Sequence, residues 1–129
     1  MNTKTIAVSL NAPKDKVFSY ISDIENLPKW ATNFCKDLKK EGSDYKITSC
    51  DGEMYFRFDT NKDTGVVDMT AGPSKEEMAS WPARVVGLHD NTSVFIVTAV
   101  QFPDVPDDIF EMQVNSTYEE FENIRQAVE

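Results

Sequence analysis

The last twenty residues of the chain carry the pattern that most constrains its fold. Phe110, Val114, Thr117, Phe121, Ile124 and Val128 recur at spacings of three and four, so the chain closes with a long helix bearing one apolar stripe. Glu111, Glu119, Glu120, Glu122 and Glu129 fall mostly off that stripe and read as its solvated face, while Met112 and Tyr118 flank it. Asp107 or Asp108, after Pro103 and Pro106, supplies a cap. Such a helix has to lay its stripe against another layer.

The rest of the chain supplies that layer. Residues 3–10 alternate Ile6, Val8 and Leu10 against Thr5, Ala7 and Ser9, the period of a half-buried strand. Asn11 is placed to cap the helix that follows, with Pro13 in its first turn and Val17, Phe18, Tyr20, Ile21 and Ile24 at helical spacing. A second short helix, about 25–32, carries Leu27 and Trp30 with Pro28 near its start. Three hairpins are then expected. Residues 34–41 meet 45–50 across Gly42-Ser43, 54–60 meet 66–71 across residues 61–65, and 81–88 meet 92–102 across Asp90-Asn91. Residues 72–80 read as a longer acidic loop.

At 129 residues this reads as one domain spanning 1–129, with a core of its own. The apolar run at 94–100 is a strand's length, far below a membrane span, and the first sixteen residues lack the apolar core of a signal peptide. A cytoplasmic location is therefore the expectation. A formal charge of −9, from 22 acidic and 13 basic residues, argues against nucleic acid and anionic membranes as partners. Cys35, Cys50 and the single His89 fit no metal-ligand spacing, and no cofactor is expected.

The order of one strand, two short helices, about six to seven antiparallel strands in all and a long helix makes an α+β chain and resembles a helix-grip fold, a curved sheet wrapped on its C-terminal helix. The chain resembles the START/Bet v 1-like (SRPBCC) superfamily, particularly its small polyketide cyclase/dehydrase-like members. The residues that carry the likeness are Leu10-Asn11-Ala12-Pro13, Val17-Phe18, Ile21-Ser22-Asp23, Glu25-Asn26-Leu27-Pro28 and Trp30-Ala31. They continue in Phe56-Arg57-Phe58, Gly65-Val66-Val67-Asp68, Arg84-Val85-Val86 and the start of the last helix at Asp107. The resemblance implies a cavity between sheet and helix for lipids, polyketides or other apolar small molecules, and no particular reaction.

Alternation puts Met54, Phe56 and Phe58 on the concave face with Val67 and Met69, where they line either a pocket or a closed core. Phe95, Trp81 at the start of a strand beside the 72–80 loop, and Met112 complete the expected ligand contacts. Trp30 is expected to plug one end of the sheet. Arg57 would oppose Asp68 if Phe58 pairs with Val67. It then forms an exposed cross-strand ion pair or, turned inward, an anchor for an anionic head group. His89 falls at a turn tip without a partner, so it reads as solvated. Cys35 and Cys50 are equidistant from the centre of Gly42-Ser43, a register that also pairs Leu38 with Ile47 and Lys39 with Lys46. Reduced thiols are the expected state, with a redox switch as the alternative.

No nucleophile–base pair or metal set appears, so the sequence points to binding of an apolar or amphipathic small molecule without catalysis. The alternatives are a polyketide cyclase or dehydratase, working by shaping a reactive chain, and a protein-interaction module whose apolar patch could also serve a homodimer.

Overall fold

The computed structural model describes residues 1–49 and 52–129, so the pairing of Cys35 with Cys50 lies outside the described residues. The alternating segment forms β1 (Thr3–Leu10), followed by α1 (Lys14–Ser22), a 3-10 turn (Ile24–Asn26) and α2 (Leu27–Trp30). The strands β2 (Asp37–Glu41), β3 (Asp44–Ser49), β4 (Gly52–Asn61), β5 (Val66–Ser74), β6 (Glu77–Trp81), β7 (Ala83–Gly87) and β8 (Ser93–Val100) follow, and α3 (Asp107–Val128) ends the chain. The strands form one antiparallel sheet in the order β1-β8-β7-β5-β4-β3-β2, with β6 on β5. This is the expected α+β grip.

Both principal helices start differently from expectation. Pro13 and Pro106, with ψ of 155° at each, occupy the positions before α1 and α3. Neither Asn11 nor Asp107 nor Asp108 serves as the cap. Proline's fixed φ suits that extended position, and its carbonyl still accepts the first helical bond, from Val17 N in α1 and Phe110 N in α3. Asn11 instead donates its backbone N–H to Glu129 Oε2 (2.8 Å), tying the end of β1 to the end of α3.

Residues 72–80 are a hairpin and not a loop. β5 runs on to Ser74, and β6 folds back on it through Ser74↔Glu77, with a register shift between Ala71 and Ser74. Gly72 makes the tight return possible, because a Cβ there would lie 1.9 Å from the Glu77 carbonyl oxygen. The expected strand 81–88 is broken at Pro82, although the pairs Met69↔Trp81 and Val66↔Arg84 keep one register across the break. Proline brings no N–H to the ladder. At that point Asp68 Oδ1 accepts Ala83 N (2.9 Å), so a side chain replaces a ladder bond.

The β4–β5 register also differs from expectation. A loop of four residues lets Asn61 pair with Val66, which sets Phe58 opposite Met69, Arg57 opposite Thr70 and Asp59 opposite Asp68. Asn61 shapes this turn by accepting Asp63 N and Thr64 N on its side chain. Arg57 therefore does not face Asp68. It bonds Asp59 on its own strand (3.0 Å), on the convex face, where Asp59 also accepts from Thr70. The β2–β3 register is as expected, Leu38↔Ile47 and Lys39↔Lys46. Asp90 and Asn91 both have positive φ and turn the chain between β7 and β8.

Candidate functional site

Directly opposed residues of antiparallel strands share a face. The register therefore lines one face with Phe58 and Met69, then Trp81, Val97 and Ile6, and with Phe56, Ala71, Phe95 and Val8. This face turns toward the helices. It has two halves of different character.

The inner half, over β1, β8 and β7, is sealed. Ile6, Val85, Phe95 and Val97 are fully or almost fully buried. Trp30 stands edge-on to Phe95 with ring centroids 6.3 Å apart, and Phe121 of α3 meets the same ring at 5.4 Å. Trp30 thus plugs this end, and its Nε1 is buried with no hydrogen-bond partner among the described residues. Phe95, an expected ligand contact, is spent on packing between these two rings. α3 packs on β1, α1 and α2 and so covers this half.

The outer half, over β3 to β6, is buried at Ile47, Phe56 and Val67 and partly open along its margin. Met54, Phe58, Met69, Ala71 and Trp81 are only half-buried, with Phe34, Leu38 and Val114 at the margin. Phe34, Phe56 and Phe58 form a continuous aromatic strip, with centroid distances of 5.7 and 5.0 Å. Trp81 is anchored by Nε1 donating to Val100 O (3.0 Å), which turns its ring into a fixed wall. Where the end of α1 faces β3 and β4, a hollow of about 390 Å³ opens to solvent beside Ser22, Ile24, Tyr45, Phe56 and Phe58. Its lining also takes in Arg57 and Lys75 from the opposite face, so it is a surface hollow and not a closed chamber.

The structure thus sets Phe56, Phe58, Met69 and Trp81 on the outer half of one face and leaves three expected contacts off it, although Arg57 still reaches the rim of the hollow. Phe95 lies in the sealed half. Met112 is 62% exposed, because it sits on the outward side of α3. Arg57 lies on the convex face with its charge already matched by Asp59.

Glu120 is not on the solvated face of α3 but is 6% exposed. Its Oε2 accepts the backbone N–H of Phe34 (3.1 Å). Burial is the main cause that raises its carboxyl to about 7, with the Phe34 and Asn33 N–H groups acting the other way. Glu120 lies three residues beyond Thr117 and four before Ile124, at the edge of the stripe, and that position was the available signal.

Cys35, buried beside it, has its thiol pushed up to about 11 by burial first and then by Asp37, so it is a poor nucleophile at neutral pH. Tyr45, at the hollow, has its phenol raised by burial first and then by the bond it donates to Glu25 (3.2 Å). His89 is a solvated turn residue, its side chain 91% exposed. Among the described residues no group of three or more His, Cys, Asp or Glu side chains is gathered as a metal-ligand set, and no helix is long and apolar enough to cross a membrane.

A curved antiparallel sheet gripping a long C-terminal helix, with a partly open apolar face between them, defines the helix-grip fold of START and Bet v 1-like proteins. No family model matches the chain, and no curated protein matches it. Solved structures do. XoxI from Bacillus cereus superposes with a TM-score of 0.76 at 15% identity, covering 99% of this chain and 96% of that one. Ara h 8.0201 gives 0.70 at 18% identity, covering 98% and 97%. The Zhui aromatase/cyclase from a Streptomyces species gives 0.64 at 15% identity, covering 98% and 90%. At these identities the likeness is one of fold.

Proposed function

We propose that this protein binds an apolar or amphipathic small molecule, lipid- or polyketide-like, between the outer strands and α3, without converting it. The observation that carries this reading is the split character of the concave face. Phe58, Met69 and Trp81 share a face with the fully buried Val97, yet stay partly open to solvent. Covering such a floor gains roughly 25 cal/mol per Å² of apolar area removed from water, enough for a modest ligand to bind usefully.

Conversion is the second reading, favoured by the fold shared with an aromatase/cyclase. It needs an ionisable group aimed at the floor. Glu120 is the strongest candidate by burial, but its carboxylate is directed at the backbone of residues 33 and 34. That bonding supports binding over turnover.

Titration with a dansylated fatty acid, together with native mass spectrometry of freshly purified protein, tests the proposal. One probe per chain is expected, with uptake abolished in Phe58→Asp and retained in Met112→Asp. Absence of uptake by the wild-type chain, or equal uptake by both variants, overturns it.

A further inference from the structure

Segment 31–36 joins α2 to β2 and carries Phe34 against the aromatic floor. Its two ends are fixed by backbone bonds. Ala31 N donates to Leu27 O (2.8 Å), and Lys36 N donates to Thr48 O on β3 (2.8 Å). Between these points one backbone bond, Cys35 N donating to Ala31 O (2.7 Å), closes the segment on itself, and α3 holds it from the side through side chains. Asn123 Nδ2 donates to Trp30 O and to Thr32 Oγ1 (3.1 Å each), Asn33 Nδ2 donates to Glu119 Oε2 (2.9 Å), and Phe34 N donates to Glu120 Oε2 (3.1 Å). Residues 32–34, inside that turn and clasped to α3 by side-chain bonds, can swing about the buried Ala31 and Cys35 without breaking the sheet. Its Phe34 ring, half-buried and 5.7 Å from Phe56, is what a swing would lift off the floor.

We propose that segment 31–36 is a hinged cover on the pocket, latched to α3 by Glu120, and that its release admits and discharges the ligand. The inference rests on the binding reading above.

The chemistry of the latch gives the cover a direction with pH. Glu120 is surrounded by Glu119 on its own helix, Cys35 and the cation Lys36 on the cover, and Asp37 at the start of β2. In the closed form its carboxyl titrates at about 7, chiefly through burial. Swinging out returns it to water and to the ordinary carboxylate range near 4.5. Between those two values the closed form binds the proton and the open form does not, so closure is firmest at low pH. Opening becomes easier as pH climbs toward about 7 and levels off above it.

Amide exchange of Asn33 and Phe34, followed by NMR on the full chain from about pH 5 to about pH 8 and corrected for intrinsic rate, tests the latch. The opening constant is expected to rise on the order of 10- to 100-fold across that window. Glu120→Gln, which keeps a carbonyl acceptor and cannot ionise, is expected to be flat. A flat wild-type profile, or a Gln variant with the wild-type slope, overturns the proposal.

Stopped-flow association of the dansylated fatty acid is expected to follow the same slope. Association that ignores pH while Phe34 exchange responds to it overturns the cover. Asn123→Ala loosens the segment from its other side, and it is expected to raise exchange and association at every pH. If it raises neither, the hinge is wrong. A wild-type chain that takes up no probe brings down the binding reading and the cover with it, and a persisting exchange slope tells that failure apart from failure of the latch.

Discussion

Phe58 and Phe95 face the same side of the same sheet, and only one of them is free to meet a ligand. Phe95 is fully buried between Trp30 and Phe121, so Phe95→Ala leaves a cavity that the surrounding rings cannot fill. A loss of about 3–5 kcal/mol is expected in urea unfolding. Phe58 is half-buried, so its truncation is expected to lose less than half of that while weakening probe binding about tenfold or more. Equal stability losses would mean the outer half is as closed as the inner. Asp68 shows how one polar side chain can hold a strand together. Asp68→Ala strands the Ala83 N–H beside Pro82 and is expected to cost about 1–3 kcal/mol, whereas Asp68→Asn retains an acceptor and recovers most of it, as measured by the same unfolding curves.

At the scale of elements, the β5–β6 hairpin decides where the pocket wall stands. It carries Trp81 back onto Met69 and leaves that indole bonded to Val100 O. Gly72→Ala puts a methyl on the Glu77 carbonyl, so the hairpin has to open. The expected cost is about 1–3 kcal/mol, with a changed Trp81 near-ultraviolet signal and weaker probe uptake. An unperturbed indole would show that the hairpin is not what places Trp81. α3 acts on both halves of the site, since Phe121 seals the inner half and Glu120 clasps the segment that borders the outer one.

At the scale of the whole molecule the surface charge is the dominant long-range term. With a net charge of −9, the folded chain repels itself more than its expanded form does. Raising the salt from a few millimolar to about 0.15 M shortens the screening length to about 8 Å, and stability is expected to rise by about 1 kcal/mol in urea midpoints. A midpoint that falls with salt would mean that ion pairs such as Lys75–Asp44 (2.6 Å) outweigh net repulsion. A ligand held at a hundred times its Kd adds about 2.7 kcal/mol to the folded state, so thermal melts should separate ligand-bound from ligand-free protein cleanly.

The sequence alone determined most of the elements and their order, because these are written in local periods and turns. The alternation of Ile6, Val8 and Leu10, the stripe from Phe110 to Val128, and the turns at Gly42-Ser43 and Asp90-Asn91 need no distant partner to be read. The likeness to a helix grip followed from that order, and so did the aromatic floor of Phe56 and Phe58. What only the tertiary structure decided were the matters that depend on meetings between distant segments. A two-residue difference in how the 61–65 turn closes moved Arg57 from Asp68 to Thr70. Residues 72–80 became a strand pair because β5 was there to template them. Glu120, at the edge of the stripe, was buried by a loop more than eighty residues away in sequence. The pocket itself belongs to this second group. Alternation puts all the apolar residues on the concave face alike, and only the placement of Trp30 and Phe121 determines which half they fill and which half they leave open.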